Sequence, residues 1–377
     1  MKKVIVLGSG LVGAVMAADL AADGDLDVSV ADFREDALAR ASERAQGSIT
    51  TLRADLADPT AIRKLVEPFD LVVGALASHL GFATLRTVIE AGKNYCDISF
   101  MPEDAWELDA LATDRGVTAI VDCGVAPGMS NLLAARGAAM LDRCDSIDIM
   151  VGGLPCRPEP PFLYKAGFAP ADVIEEYTRP SRIVEAGRIV IKDALSEPEF
   201  VDLPRAGRLE AVNTDGLRSL ATFLKVPHMR ERTLRYPGHY DIMRAFRAAG
   251  LFSKEPVMIG GARVVPLELT SALLFPLWQY APGEEDLTVM RVVAEGERDG
   301  QPARACWDLF DVYDGVTAAT SMSRTTGLTC TTFARMLLGG RLARPGVVTL
   351  EQVGHDGALV DEVLSALFGK GIRYDAS

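Results

Sequence analysis

The chain has 377 residues, enough for two domains with substantial cores, and its composition is that of a soluble globular protein. Acidic side chains outnumber basic ones by 52 to 39, and the net charge of -13 argues against nucleic acid or an anionic membrane surface as the main partner. No apolar run approaches the length that spans a bilayer, and the N-terminus enters a strand directly, without the pattern of a signal peptide.

The first element is a short strand, Val4 to Leu7, followed by Gly8-Ser9-Gly10-Leu11-Val12-Gly13 and an Ala-rich helix from Ala14 to Ala22. A Gly-x-Gly-x-x-Gly string carries weight in this strand–turn–helix setting. Gly8 allows the tight turn, Gly10 lets a pyrophosphate approach the backbone, and Gly13 lets helix and strand pack closely. The helix start at Leu11 and Val12 offers unpaired N–H groups to the phosphates. The second strand ends in Asp32, at the spacing of an acid that hydrogen-bonds a ribose diol. A carboxylate there favours NAD over NADP, while Arg34 close by can accept a 2′-phosphate, which keeps NADP possible. A flavin dinucleotide shares the ADP half and is not excluded by the fingerprint.

Strand and helix then alternate: helix Glu35 to Ala45, strand Ile49 to Leu52, helix Thr60 to Val66, strand Leu71 to Gly74, helix Leu80 to Ala91, strand Tyr95 to Ile98, helix Asp104 to Thr113 and strand Val117 to Val121. This pattern predicts an α/β, Rossmann-type doubly wound parallel sheet, with ligands at the carboxyl edge of the strands. The alternation breaks near Ala126-Pro127-Gly128, where a helix to about Met140 follows, with Ser130 or Asn131 as N-cap. From Ser146 the texture becomes β-like, with runs Ile147 to Val151, Arg188 to Ile191, Arg208 to Val212, Thr288 to Ala294 and Ala303 to Val312, plus Pro-rich loops and a few helices. That predicts a second α+β domain on a mixed or antiparallel sheet, its open face a lid or a dimer surface. From Thr326 the chain is helical again. The six cysteines are scattered without Cys-x-x-Cys spacing, which reads as reduced thiols in a cytoplasmic protein and no metal site.

Several loops can carry chemistry. Gly74-Ala75-Leu76-Ala77-Ser78-His79 follows the fourth strand, and its small residues allow a nicotinamide to approach the backbone at Ala75 and Leu76. His79 either caps the next helix or faces the site. Asp55, just after the third strand, is either an adenine-edge contact or a surface acid at a turn. Asp97 ends the fifth strand and can orient an amine or accept its proton. Asp122-Cys123-Gly124 ends the sixth: Cys123 is either a nucleophile or a small buried thiol, and Gly124 serves close backbone approach. Arg218, in Thr214-Asp215-Gly216-Leu217-Arg218, reads either as a structural ion pair or as a clamp for a substrate carboxylate. His239 sits in a Pro-Gly turn and is either exposed to a cleft or a satisfied loop histidine.

These motifs resemble the saccharopine dehydrogenase-like superfamily, and within it the lysine 6-dehydrogenase branch. The matching stretches are Gly8 to Gly13, Tyr95 to Ser99, Asp122 to Gly128, Val151-Gly152-Gly153-Leu154-Pro155, Arg157 to Pro161 with Tyr164, Thr214 to Arg218, Leu234 to His239, and Ser321 to Gly327. The resemblance implies a dinucleotide domain over residues 1–125 completed by about 330–377, and an α+β substrate-binding and dimerisation domain over 126–329, working as a homodimer. It implies NAD-dependent oxidative deamination of the ε-amine of L-lysine or a close amino-acid relative, the 6-semialdehyde product cyclising to a piperideine carboxylate. In that chemistry Asp97 or His239 takes the amine proton, Arg218 holds the substrate carboxylate and Asp215 its α-ammonium. Alternatives are a saccharopine- or carboxynorspermidine-type enzyme joining an amine and a carbonyl, and a dinucleotide-binding regulatory protein without turnover.

Overall fold

Val4, Ile5, Val6 and Leu7 have no exposed surface, which explains why this strand reads as an unbroken apolar run rather than an alternating one: it is covered on both faces. Burying each such side chain contributes about 1.5–3 kcal/mol relative to exposure. In the computed structural model, which describes residues 1–377, this strand is an inner strand of the sheet of one of two units, Met1–Arg136 with Ser323–Arg373. The second unit is Gly137–Met322 with Tyr374–Ser377.

The first unit contains strands β1 (Lys2–Leu7), β2 (Leu26–Asp32), β3 (Thr50–Arg53), β4 (Leu71–Gly74), β5 (Asn94–Asp97) and β6 (Thr118–Ile120). Between and after them run helices α1 (Leu11–Ala21), α2 (Glu35–Arg44), α3 (Pro59–Val66), α4 (Ser78–Glu90), α5 (Asp109–Arg115) and α6 (Met129–Ala139). A seventh strand, Gly346–Val348, returns from the far end of the chain and pairs in parallel with β6. The sheet order is Gly346–Val348, β6, β5, β4, β1, β2, β3, and every pairing is parallel. The direction of winding reverses between β1 and β4, so their carboxyl ends open the crevice where such folds hold ligands. The Ala75 N–H donates to the Leu7 carbonyl (2.9 Å) and the Gly8 N–H to the Ala31 carbonyl (2.8 Å), which ties the two loops of that crevice to their neighbours.

The second unit is built on a nine-stranded mixed sheet. Its strands are β7 (Arg143–Pro155), β8 (Ser181–Glu185), β9 (Arg188–Lys192), β10 (Glu199–Leu203), β11 (Gly207–Asn213) and β12 (His228–Arg235), then β15 (Asp286–Arg298), β16 (Gln301–Val312) and the terminal Tyr374–Ala376; β13 (Val257–Ile259) and β14 (Ala262–Val264) form a separate hairpin. Only β12 and β7 pair in parallel. Helices α7 (Pro170–Thr178), α8 (Leu220–Phe223), α9 (His239–Ala248) and α10 (Pro266–Trp278) belong to this unit. Its aromatic core joins Tyr164, Tyr177, Tyr240, Phe252 and Trp278. No helix of the chain is long and apolar enough to cross a membrane.

Candidate functional site

The turn after β1 is shaped by contacts that leave no room for side chains. Gly8 has φ +98°, and a Cβ there would stand 2.5 Å from the Ala75 carbonyl oxygen. A Cβ on Gly13 would lie 2.0 Å from the Gly8 carbonyl oxygen. Gly10 is different: a Cβ there would meet nothing within 4 Å. Gly10 also supplies the N-cap of α1, so no side chain caps the first-turn N–H groups of that helix. Asp32 is buried, and its carboxylate accepts from the Ser9 N–H (2.8 Å), the Ser9 hydroxyl (3.1 Å) and the Arg34 N–H (2.9 Å). The Arg34 guanidinium lies 3.8 Å from the same carboxylate, with its side chain 44% exposed. Asp55 is exposed, and its Oδ1 accepts from the Ala57 N–H (2.9 Å), which is the work of a turn-forming acid. His79 is exposed in the first turn of α4, whose N-cap is Ala77.

The ends of β4, β5 and β6 converge on Asp97. A Cβ on Gly74 would lie 2.0 Å from the Tyr95 hydroxyl and 2.3 Å from Asp97 Oδ1, so glycine is required for the strand ends to close up. Asp97 has no exposed surface. Its Oδ1 accepts from the Ser99 hydroxyl (2.8 Å) and N–H (3.1 Å), while Oδ2 and the buried Tyr95 hydroxyl beside the carboxyl have no well-formed hydrogen bond. Burial pushes the carboxyl up to about 6, against the pull of the Ser99 hydrogen bonds and with Asp122 adding to the rise. A buried carboxyl whose second oxygen makes no hydrogen bond can take up a proton near neutral pH.

Cys123 corrects an expectation. It is fully buried, and burial, reinforced by Cys330 beside it, pushes the thiol well above the usual range. It is a packed neutral thiol, since nucleophilic cysteines need a stabilised thiolate. Gly124 is likewise committed within the protein: its N–H donates to the Pro127 carbonyl (3.1 Å) and its carbonyl accepts from Met129 (2.9 Å).

In the second unit the segment Asn213–Arg218 is pinned from two sides. Asp215 forms a two-pronged ion pair with Arg182 (2.8 Å for each prong), so its charge is already neutralised, which argues against the expected role of holding a substrate ammonium. Glu231, on β12, accepts from the Thr214 hydroxyl and from the Gly216 N–H (3.1 Å). A Cβ on Gly216 would stand 2.4 Å from its carboxyl carbon. Burial, with Glu176 and Asp215 adding negative charge, pushes Glu231 up to about 8. Arg218 follows in the left-handed region (φ +52°) and is itself buried.

His239 departs from the cleft-facing alternative. It is the first residue of α9 and has no exposed surface. Its Nδ1 lies 2.8 Å from the Phe162 carbonyl and must donate there, so Nε2 accepts from the Tyr177 hydroxyl (2.8 Å). Burial, then the nearby Arg235 charge, lowers its pKa to about 3. With its lone pair occupied, the ring is a structural acceptor rather than a base. Tyr164 belongs to the same aromatic core, its ring 5.0 Å from His239, 5.4 Å from Trp278 and 4.5 Å below the Arg235 guanidinium. Arg235 is paired with Glu176 at 2.8 Å.

The saccharopine dehydrogenase C-terminal domain matches residues 124–372, and the saccharopine dehydrogenase NADP binding domain matches residues 4–120. The chain belongs to the saccharopine dehydrogenase family. Carboxynorspermidine synthase of Vibrio cholerae is 26% identical over 94% of this chain and 92% of its own length. Saccharopine dehydrogenase [NADP(+), L-glutamate-forming] of Schizosaccharomyces pombe is 22% identical over 100% of this chain and 98% of its own. The mitochondrial alpha-aminoadipic semialdehyde synthase of Mus musculus is 22% identical over 92% of this chain, which spans 45% of that longer protein. Among solved structures, apo saccharopine dehydrogenase (L-Glu forming) of Saccharomyces cerevisiae shares the fold, with a TM-score of 0.81 at 19% identity over 100% of this chain and 99% of the other.

As a member of this saccharopine dehydrogenase family the chain is an NAD(P)-dependent oxidoreductase acting on CH–NH2 or CH–NH donors. Its residues fit that coenzyme. The space above Gly10 and the N–H groups of Leu11 and Val12 would hold the pyrophosphate, Asp32 and Arg34 would meet the adenosine ribose, and Ala75 and Leu76 would border the nicotinamide. Glu231 is the buried acid that sequence reasoning missed. Its only advance signal is the alternation Met229, Glu231, Thr233, Arg235, which puts it in step with buried positions of β12.

Proposed function

We propose that the chain oxidises the ε-amine of L-lysine, or of a close amino-acid relative, with NAD as the preferred coenzyme and as a homodimer. When bound, the dinucleotide supplies the hydride acceptor. Overall, lysine, water and the oxidised coenzyme become the 6-semialdehyde, ammonium, the reduced coenzyme and a proton. A free lysine amine titrates near 10.4 and loses hydride from its carbon only when the nitrogen lone pair is available. The protein must therefore take a proton from the ammonium form. Asp97 is the proposed acceptor, and its bare Oδ2 and rise to about 6 are the observation that carries this reading. Arg218 is the proposed clamp for the substrate carboxylate, its planar fork matching two oxygens. The preference for NAD is supported by the Asp32 carboxylate, which repels a 2′-phosphate.

The deciding experiment is a screen of the purified chain with NAD and NADP against lysine, ornithine, saccharopine and diamines, following reduced coenzyme. Lysine with NAD should turn over fastest. A second reading, reductive joining of an amine to a carbonyl, is favoured by the likeness to carboxynorspermidine synthase over almost the whole chain. Coenzyme reduction with saccharopine alone, or only consumption of reduced coenzyme with a diamine and a carbonyl, would replace the first reading by the second.

Arg218→Ala should raise KM for the amino acid by about 10- to 100-fold, as expected for losing hydrogen bonds to a charged group, and lower kcat much less. Steady-state kinetics checks this, and an unchanged KM removes Arg218 from the clamp.

A further inference from the structure

Strand β12 carries three arginines and one glutamate, and the glutamate pairs with none of them. Arg230 and Arg232 are bound to Asp148 and Glu199, and Arg235, on the same face as Glu231, is bound to Glu176. Glu231 is buried all the same, and both hydrogen bonds of its carboxyl go to one short segment, to the Thr214 hydroxyl and the Gly216 N–H (3.1 Å). Its backbone carbonyl takes a third bond there, from the Thr214 N–H (3.1 Å). The contact is also steric. A Cβ on Gly216 would lie 2.4 Å from the Glu231 Cδ and 2.5 Å from its Oε2, so the carboxyl fills the place of a side chain at 216. Asp215, between these two residues, is gripped by the Arg182 backbone N–H (3.1 Å) and guanidinium. Two residues after Gly216 the backbone turns left-handed at Arg218 (φ +52°), a conformation that side-chain-bearing residues keep only where their surroundings hold them.

Packing alone is a poor reason for a glutamate here. A buried carboxyl without a cation is destabilising, and an apolar side chain of similar volume would fill the same space. Burial, with Glu176 and Asp215 adding negative charge, pushes this carboxyl up to about 8, so near pH 7 it is mainly protonated and Oε2 acts as a neutral acceptor. We propose that Glu231 is a positioning residue for the substrate: through Thr214 and Gly216 it holds the segment that leads into Arg218, and so sets the affinity for the substrate carboxylate without touching the reacting atoms. This inference rests on the clamp role of Arg218 in the proposed function. Apparent affinity falls by the fraction of time a site spends in its binding-competent arrangement, so loosening this segment acts on KM and spares kcat.

The test is steady-state kinetics of the full chain at pH 7 with NAD and L-lysine, or with saccharopine should that be the amino acid oxidised, beside thermal melts. Glu231→Met keeps an unbranched side chain and deletes the acceptor of both bonds, so KM should rise about 10-fold while kcat stays within about 2-fold and the melting temperature holds. Glu231→Gln, whose amide oxygen can accept the same two bonds, should bring KM back to within about 2-fold of wild type. In an Arg218→Ala background Glu231→Met should add nothing to KM, because the residue it positions is gone. An unchanged KM in Glu231→Met beside a raised KM in Arg218→Ala overturns the proposal and spares the clamp. A KM unchanged in Arg218→Ala removes the clamp, and the proposal falls with it. A glutamine variant as weak as the methionine one, or effects of Glu231→Met and Arg218→Ala that multiply in the double variant, also overturns it. Should Glu231→Met misfold, Thr214→Val decides: it deletes the hydroxyl that bridges Glu231 and Thr233, and KM must rise about 3-fold or more with kcat unchanged, an unmoved KM overturning the proposal.

Discussion

Gly13→Val should abolish dinucleotide binding. The first added carbon would stand 2.0 Å from the Gly8 carbonyl oxygen and 3.2 Å from the Ala75 Cβ, well inside contact distance. Neither obstacle can rotate away, since one is backbone and the other a methyl on the adjoining loop. The helix must then back away from β1, which costs about 1–3 kcal/mol of overpacking and withdraws the Leu11 and Val12 N–H groups from the phosphates. Calorimetry with NAD and NADP should register a loss of affinity of about 100-fold or more, equivalent to roughly 3 kcal/mol. Gly10→Ala is the companion measurement. Its methyl would enter space empty of protein, so the melting temperature should stay put while affinity falls, because the pyrophosphate needs that space. Wild-type affinity in Gly13→Val would show that the coenzyme is held elsewhere.

Asp97→Asn should move activity and stability in opposite directions. Burial pushes the carboxyl up to about 6 in the folded chain, against 3.8 when unperturbed. A raised acid pKa means that the folded state holds its proton more tightly, so this group's favourable contribution is complete below pH 3.8 and is lost as pH rises through 6. At pH 8 the ionised side chain then costs about 3 kcal/mol. Asparagine cannot ionise, and its Oδ1 still accepts from the Ser99 N–H and hydroxyl. Thermal melts should therefore show the variant more stable than wild type at pH 8 and equal to it at pH 4. Removing a proton acceptor should cost about 100- to 10,000-fold in kcat/KM and erase the rise in rate through pH 6. A pH–rate profile identical to wild type would dismiss Asp97 as the acceptor.

The first unit was legible because its signals are local. Continuous apolar strands, the glycine turn and the acid at the end of β2 all lie within 32 residues, and each demands the same βαβ geometry. Asp97 was singled out for a related reason: strand ends in such a sheet open toward the ligand. The second unit hid its logic in partners distant along the chain. His228-Met229-Arg230-Glu231-Arg232-Thr233-Leu234-Arg235 looks like a solvated stretch, yet it is a largely buried strand. Its arginines are satisfied by Asp148, Glu199 and Glu176, none of them a near neighbour in sequence. Asp215 was read as available because nothing near it announces Arg182, and His239 because nothing announces Tyr177 and the Phe162 carbonyl. Helix α10 was missed for the opposite reason, since it has too little polar character to show a helical period.

The strand Gly346–Val348 has a bearing on how the molecule is made. It lies beyond Gly137–Met322, all of the second unit but its last strand, yet it completes the edge of the nucleotide-binding sheet beside β6. During synthesis that sheet cannot close until almost the entire polypeptide has left the ribosome, so β6 must wait as an unprotected border, open to pairing with other nascent chains. A version cut after Arg136 would inherit the same raw border permanently, and should precipitate on expression rather than serve as a free-standing coenzyme carrier.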